Sequence, residues 1–236
     1  MNEIKCPQQI DFPCGFVRLI DVMPGKYDSE KLKCDEAIVR AARVSYNRES
    51  KGEEADVKLI KFLMKHNHGT PTESVVFKLM IKCPIFVQRH IVKHRMTSMN
   101  EVSARYTTVK DGWYTPEVFR CQSKSNRQAS DGFLNEKENE EIKNEFETKM
   151  KEIYGFYNEL LEKGVSREQA RTILPQCMYT TFYLTLNLRS LLNLIYLRNS
   201  SFAQSETREV AVALEEILKI TNPISYETYR ESNPIT

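Results

Sequence analysis

The chain has 236 residues, 41% of them hydrophobic and 28% charged, which is enough apolar material for a folded core and argues against disorder. Its 34 Lys and Arg against 32 Asp and Glu leave a formal charge of +2, which excludes a strongly cationic protein that holds nucleic acid through overall charge. No apolar run approaches the roughly 20 residues of a membrane helix, and the first ten residues lack the apolar core of a secretory signal. The six cysteines have no CxxC spacing. We therefore predict one cytoplasmic domain over residues 1–236, with free thiols.

The first quarter of the chain predicts a strand followed by two helices. The apolar run Gly15–Met23 predicts a strand that ends at the turn Pro24–Gly25. Apolar residues at helical spacing then predict a helix over Glu30–Ser45, and a clearer one over Glu53–Lys65. The apolar stripe of the second helix consists of Val57, Ile60 and Met64.

A break, a strand and a helix are predicted next. Residues 66–72 interrupt the helical pattern with glycine and proline, and Ser74–Lys82 then alternates between apolar and polar side chains, which predicts a strand. Pro84 suits the first turn of a helix, which we predict over Ile85–Arg95. The polar residues 107–132 predict an irregular loop, and the sequence leaves open whether it is ordered or mobile. The buried face of the strand is predicted to be Val75, Phe77, Leu79 and Ile81.

The second half of the chain predicts a long helix, a strand and two more helices. Asn135 can cap the long helix, with Glu138 in the capping-box position, and the apolar stripe continues until Gly164. Helices and strands are mixed without a repeated βαβ rhythm. We therefore predict an α+β fold with a mixed or antiparallel sheet packed against several helices. The later elements are a strand over Cys177–Asn187 and helices over Leu188–Arg198 and Glu206–Lys219.

Residues 82–105 are unusually basic, with five Lys and Arg and two histidines against the single acid Glu101. On one helix, Arg89 and Lys93 would face the same way, and like charges at that spacing cost roughly 0.2–0.5 kcal/mol. Nothing local offsets this cost, so we infer that an external anion binds here. A solvated basic face is the alternative.

A second unusual segment, residues 175–205, contains no Asp, Glu or Lys but has Arg189 and Arg198 in an apolar setting. A buried arginine needs a partner. Helical geometry places Arg189 and Asn193 on one face and Arg198 on the opposite side. Two differently placed ligand groups would suit that arrangement; acids from elsewhere in the fold are the alternative.

All four histidines fall between His66 and His94, which raises the hypothesis of a metal site. His66 and His68 form an HxH, and His90 and His94 are four apart, a spacing that can chelate zinc. Ile91, however, stands where an HExxH site has its glutamate, and the neighbouring cations oppose a dication. We predict no metal, with a histidine-ligated metal hydrolase as a rival.

Candidate protein nucleophiles are weak. Cys83 and Cys177 lie in apolar runs typical of a core. Ser103 has histidines nearby in sequence, which is common by chance.

Residues 93–106, KHRMTSMNEVSARY, resemble the signature of the flavin-dependent thymidylate synthases, in which Arg-His-Arg is followed after seven residues by Ser. Residues 67–77, 170–175 and 187–198 resemble three further stretches of that family, in the same order. Four matching segments make the resemblance specific, although it weakens in the first 30 residues, in the loop 107–132 and at the C-terminal tail. The residues that match the signature are Lys93, His94, Arg95 and Ser103.

The resemblance implies reductive methylation of dUMP to dTMP without a protein nucleophile. It implies 5,10-methylenetetrahydrofolate as carbon donor and reduced FAD, recycled by NADPH, as hydride source. It also implies a homotetramer whose sites draw on several subunits. Because the redox chemistry belongs to the flavin, the protein has to orient it and place charge. Arg198 is then the expected catalytic residue, since a guanidinium stays protonated and can stabilise negative charge on the uracil ring.

The same resemblance assigns two sets of binding residues, which overlap at Lys93 and Glu101. The implied FAD contacts are His68, Thr70, Lys93, His94, Arg95, Glu101, Asn187, Arg189 and Asn193. The implied dUMP contacts are Arg89, His90, Lys93, Glu101, Ser103, Ala104, Arg105, Arg171 and Arg198.

Three residues depart from the family pattern. Lys93 stands where the signature has Arg, so a bidentate contact becomes a point contact. Phe202 stands where several relatives carry His, and His90 where some carry Gln. The rival to an enzyme is a nucleic-acid-binding module that uses residues 82–105, although no known nucleic-acid-binding motif accompanies them.

Overall fold

A computed structural model of the chain describes residues 2–3, 8–45, 50–110 and 112–234. The chain divides into two compact units. The first unit comprises residues 1–82, 90–100 and 182–236, and the second comprises residues 83–89 and 101–181.

In the described part of the chain, the strands combine in one large sheet and two small ones. They are β1 (Asn2–Glu3), β2 (Gln8–Phe12), β3 (Gly15–Met23), β4 (Lys26–Tyr27), β5 (Val76–Pro84), β6 (Ser98–Glu101), β7 (Arg120–Gln122), β8 (Ser130–Phe133) and β9 (Tyr179–Asn187). The large sheet has the order β2-β3-β5-β9-β6, while β1 pairs with β4 and β7 with β8. β3 runs antiparallel to both β2 and β5, with a register shift between Leu19 and Asp21.

The helices are α1 (Asp35–Val44), α2 (Glu53–Lys65), α3 (Ile85–Ile91), α4 (Glu136–Glu162), α5 (Arg167–Ala170), α6 (Leu188–Arg198), α7 (Ser205–Thr221) and α8 (Pro223–Ser232). The mixture of helices with antiparallel strands confirms the predicted α+β class. The predicted bounds of β3, α2 and α6 are also confirmed. Of the helices in the described residues, none combines the length and the hydropathy that crossing a membrane requires.

The core of the first unit lies where α7 packs against β2 and β3. Val210, Leu214 and Ile217 of α7 are fully buried, as their helical spacing predicts. Each such side chain contributes about 1.5–3 kcal/mol when it leaves water. The predicted inner face of the Ser74–Lys82 segment is confirmed, because its four apolar residues are fully buried: Val75, Phe77, Leu79 and Ile81.

A buried carboxylate joins the starts of α1 and α8. Asp35 is fully buried and accepts hydrogen bonds from Asn222 Nδ2 (3.0 Å), Ile224 N (2.8 Å), Ser225 N (3.2 Å) and Ser225 Oγ (2.6 Å). Burial raises the pKa of Asp35 to about 6, although the hydrogen bonds from Ser225 and Asn222 oppose the rise. Asp35 thus satisfies the free N–H groups at the start of α8, which no sequence pattern had predicted.

The main element of the second unit is the long helix α4. The Asn135 side chain accepts a hydrogen bond from Glu138 N (3.0 Å), which confirms the predicted cap. Tyr154 Oη donates to Val109 O (2.6 Å), and Tyr157 Oη accepts from Val109 N (3.2 Å). The segment that follows the basic residues is therefore attached to α4.

Two predicted helices are shorter in the structure. α1 begins at Asp35 rather than Glu30, because Lys33 has a φ of 48°, which a right-handed helix cannot contain. α3 ends at Ile91 rather than Arg95, because His94 N donates to Ile91 O (3.0 Å) in a tight closing turn. The predictions that Arg89 and Lys93, and likewise His90 and His94, share a helix face are therefore wrong.

The predicted loop over residues 107–132 is not irregular throughout. Residues 120–122 and 130–133 pair as the antiparallel strands β7 and β8. These strands are too short to show an alternating pattern, as are β1 and β6.

Candidate functional site

A cavity of about 650 Å³ in the first unit collects seven of the predicted site residues. Its cations face a single acid, Glu73, among the described residues that line it. The turn after α3 supplies three of the seven and α6 another three. The seventh, Asn187, ends β9 and caps α6 by accepting from Ser190 N (2.9 Å). The seven are Lys93, His94, Arg95, Asn187, Arg189, Asn193 and Arg198.

Arg189 has an acidic partner that is distant in sequence. Its Nη1 lies 2.7 Å from Glu73 Oε1, and its side chain is 61% exposed. The alternative prediction, that acids from elsewhere in the fold pair with these arginines, is thus correct for Arg189. The prediction that Arg189 lies in an apolar setting is wrong. An exposed ion pair contributes only about 0–1 kcal/mol, so a ligand phosphate can replace Glu73 at little cost.

Arg198 is half-buried and holds two acceptors in the turn after α3. Its Nε donates to His94 Nε2 (3.0 Å), and its Nη2 donates to the carbonyl oxygen of His90 (3.1 Å). The prediction that Arg198 faces away from Arg189 is wrong, since both line the same cavity. Arg198 is the last residue of α6, and these two acceptors direct its long side chain towards the cavity.

His94 is buried and neutral near pH 7. Burial, followed by the charge of Arg198, lowers its pKa to about 4. Because Nε2 accepts from Arg198, the proton of the neutral ring sits on Nδ1. Protonation of Nε2 would break this hydrogen bond, so the pairing holds only while His94 is neutral.

A smaller cavity, of about 390 Å³, lies in the same unit and shares Arg189 and Asn193 with the first. His68 lines it, and α8 contributes Tyr229 and Ser232. Thr70, by contrast, lines neither cavity; it begins a 3₁₀ turn and is exposed.

In the second unit, a cavity of about 450 Å³ brings together Glu101, Ser103, Ala104 and Arg171. Glu101 accepts from Thr180 Oγ1 (2.6 Å) and Gln88 Nε2 (3.3 Å), which hold the carboxylate in place. Ser103 Oγ accepts from Arg105 N (3.3 Å).

Three predicted dUMP contacts, Arg89, His90 and Arg105, line none of these cavities. Arg105 pairs with Glu168 at 3.5 Å on the surface, and Arg89 is exposed. Thr180 and Lys110 line the cavity of the second unit but were not predicted, because no sequence motif marks them. Phe202 is 76% exposed and cannot supply a polar contact.

The described residues form neither a metal site nor an activated cysteine nucleophile. Across the described ranges, no group of three or more His, Cys, Asp and Glu is placed to hold a metal ion. Cys83 is buried as predicted and Cys177 partly so, and burial raises the pKa of both thiols. Both therefore stay protonated and weakly nucleophilic near pH 7.

Three comparisons bear on these sites. Residues 29–224 match the family model described as thymidylate synthase complementing protein. The flavin-dependent thymidylate synthase of Thermus thermophilus is 44% identical over 217 residues, covering 92% of this chain and 76% of that protein. The enzyme of the same name from Kosmotoga olearia is 43% identical over 215 residues, covering 91% and 90%. The crystal structure of the UMP/dUMP methylase PolB from Streptomyces cacaoi bound with 5-Br UMP superimposes with a TM-score of 0.79 at 28% identity, covering 93% and 95%.

A cation-lined cavity on an α+β fold defines an anion-binding protein. The relatives narrow that class: the chain belongs to the flavin-dependent thymidylate synthase family. This confirms the resemblance drawn from residues 93–106.

Proposed function

We propose that this chain methylates C5 of dUMP to give dTMP. In this proposal the carbon comes from 5,10-methylenetetrahydrofolate, and FAD, reduced by NADPH, is the hydride source. Residues 1–236 act as a single domain, and the active assembly is a homotetramer with sites shared between subunits. Support comes from the family and from PolB, which is named as a UMP/dUMP methylase.

The observation that carries the proposal is the charge of the first-unit cavity. Lys93, Arg95, Arg189 and Arg198 line it, against Glu73 alone among the described lining residues. Such an excess of cations is costly unless an anion joins it, and guanidinium groups bind phosphate with charge-assisted hydrogen bonds. Nucleotides and flavin dinucleotides both carry phosphates.

The side chains of the cavity also fit FAD, because FAD carries both phosphates and uncharged polar atoms. Lys93 and Arg189 would bind its phosphates, while the amides of Asn187 and Asn193 would bind uncharged polar atoms. When bound, FAD supplies the hydride. His68 and Thr70 complete the proposed FAD set with His94, Arg95 and Glu101.

In the proposed reaction, Arg198 stabilises the negative charge that develops on the uracil ring, because it stays protonated and two acceptors fix its orientation. Ser103, Ala104 and Arg171 would position the nucleotide from the second-unit cavity. In a tetramer with shared sites, these residues can act beside Arg198 of another subunit. The remaining proposed dUMP contacts are Arg89, His90, Lys93, Glu101 and Arg105.

One experiment on the purified chain tests the proposal against its rivals. We expect a flavin absorption spectrum that bleaches with NADPH, and dTMP formation, followed by mass spectrometry, that requires both dUMP and the folate. The control omits the folate. A colourless protein that carries metal, or one that binds nucleic acid but makes no dTMP, would contradict the proposal.

Arg189→Ala is expected to purify with less bound flavin, because the cavity loses a guanidinium whose partner among the described residues is the exposed Glu73. We expect a decrease in flavin affinity of roughly 10-fold or more, since a hydrogen bond to a charged group contributes about 1.5–3 kcal/mol. The measurement is the flavin-to-protein absorbance ratio. Glu73→Gln is the matched control and should retain flavin. Full flavin occupancy in Arg189→Ala would refute the contact.

Ser103→Ala is expected to retain measurable turnover with a raised KM for dUMP. Ser103 would act as a positioning group, and its Oγ accepts from Arg105 N within its own turn. The measurement is steady-state dTMP formation with varied dUMP. Complete inactivity with unchanged dUMP binding would instead support Ser103 as a nucleophile.

A further inference from the structure

A hydrogen bond of 2.9 Å joins His90 Nδ1 to Thr207 Oγ1, two residues that are 117 positions apart. Thr207 lies in the first turn of α7 and is fully buried. His90 is half-buried, and its carbonyl oxygen accepts from Arg198 Nη2 (3.1 Å). Thr207 thus contacts a residue that is itself attached to Arg198.

The direction of this hydrogen bond follows from burial. Within the described part of the chain, the Thr207 hydroxyl has no hydrogen-bond partner except His90 Nδ1. If Nδ1 were the donor, the hydroxyl hydrogen would be buried without an acceptor, which is unfavourable. The hydroxyl therefore donates, Nδ1 accepts, and the neutral ring carries its proton on Nε2.

The ring of His90 is only half-buried, and its second nitrogen, Nε2, lies on the edge away from Thr207. Nε2 makes no hydrogen bond with any residue in the described ranges. Burial, followed by the charges of Arg198 and Lys93, lowers the pKa of His90, so the ring is neutral near pH 7. In that state only the position of the single ring proton decides whether Nε2 is a donor or an acceptor.

We propose that Thr207 is a positioning residue that holds His90 in the Nε2–H tautomer, so that His90 donates a hydrogen bond to an oxygen of the nucleotide substrate. The inference rests on the proposed function for the identity of that nucleotide. His94 has the opposite tautomer, because its Nε2 accepts from Arg198. Arg198 thus contacts the backbone of a donor histidine and the ring of an acceptor histidine.

The tautomers can be read directly, since the chain contains only four histidines. Two-bond ¹H–¹⁵N spectra of ¹⁵N-histidine-labelled protein, without substrate, report which ring nitrogen carries the proton. We expect His90 to show an unprotonated Nδ1 and a protonated Nε2, with the reverse for His94. A His90→Gln variant assigns the His90 signals by their loss.

Thr207→Val should convert the His90 signals to a mixture of tautomers, leave those of His94 in place and raise the KM for dUMP roughly 3- to 10-fold. Thr207→Ser should restore both properties, because it keeps the hydroxyl. Thr221→Val is the matched control, since it removes another fully buried hydroxyl from α7, one that donates to Ile217 O (3.0 Å). It should change neither property.

A protonated Nδ1 on His90 in the unsubstituted protein would overturn the tautomer. An unchanged KM in Thr207→Val, with the tautomer lost, would overturn its role in binding. If the protein makes no dTMP, the proposed function fails, while the spectra still decide the tautomer. If Thr207→Val does not fold, the unsubstituted protein and Thr207→Ser still test the assignment.

Discussion

Arg198→Ala is expected to lower kcat roughly 10²- to 10³-fold, the usual loss when a preorganised donor to developing negative charge is removed. Bound flavin should remain, because Lys93, Arg95 and Arg189 keep the cavity cationic. Turnover should fall while flavin stays bound, because Arg198 acts in the proposed reaction and the FAD phosphates have other cationic partners. Single-turnover dTMP formation and the flavin absorbance ratio measure them in the same sample.

Arg198→Lys is the matched control, because it keeps the charge and loses the fork that reaches both His94 Nε2 and the His90 carbonyl. It should recover only part of the turnover. In Arg198→Ala the pKa of His94 should rise from about 4 towards its ordinary value, since one cause of its depression is gone. Unchanged turnover in Arg198→Ala would rule out the proposed role.

Asp35→Ala is expected to lower the free energy of unfolding by about 3 kcal/mol, because it leaves several buried donors at the start of α8 without an acceptor. Urea denaturation at neutral pH measures the loss. Asp28→Ala is the control, since it removes an exposed carboxylate that pairs with Arg40, and it should cost less than about 1 kcal/mol. Equal losses in the two variants would contradict the anchoring role of Asp35.

The same carboxylate gives the stability a defined pH dependence. Because the folded-state pKa of Asp35 is raised from 3.8 to about 6, the folded protein binds the proton more tightly than the unfolded chain. The stabilisation of the folded state by this bound proton is complete below about pH 4 and is lost as the pH rises through 6. Asp35→Asn, which does not titrate, should therefore lack this component, worth up to about 3 kcal/mol. An identical pH profile for both proteins would contradict the raised pKa.

Much of the fold was predictable because burial leaves periodic patterns. β3, β5, α2, α6 and α7 each bury one face, so their apolar residues recur at the period of the element. α8 escaped prediction because its start depends on Asp35, almost 190 residues earlier, rather than on a local cap. The sequence pattern also predicts too long an α3, and His94, just past its end, accepts a hydrogen bond from Arg198, 104 residues away.

The candidate site was predictable to the extent that its residues lie in recognisable segments. Lys93, His94 and Arg95 form one such segment, and α6 contains another, so the cation-rich cavity could be anticipated from sequence. Glu73 as the partner of Arg189, and Thr207 as the partner of His90, could not be, because both contacts arise only when distant segments fold together. Helical periodicity also gave the wrong direction for the Arg198 side chain. Arg198 is the last residue of α6, and its hydrogen bonds to His94 and His90 orient its side chain.

The close approach of Gly69 to Arg189 restricts the order in which these two positions can change. A Cβ at position 69 would lie 2.8 Å from Arg189 Nε and 3.0 Å from its Cδ and Cζ. An alanine there would have to push the guanidinium aside and away from Glu73, although position 69 on its own looks tolerant of substitution. The two sites are therefore epistatic: an evolving lineage, or a mutagenesis library, reaches a larger residue at 69 most easily after 189 has already become smaller.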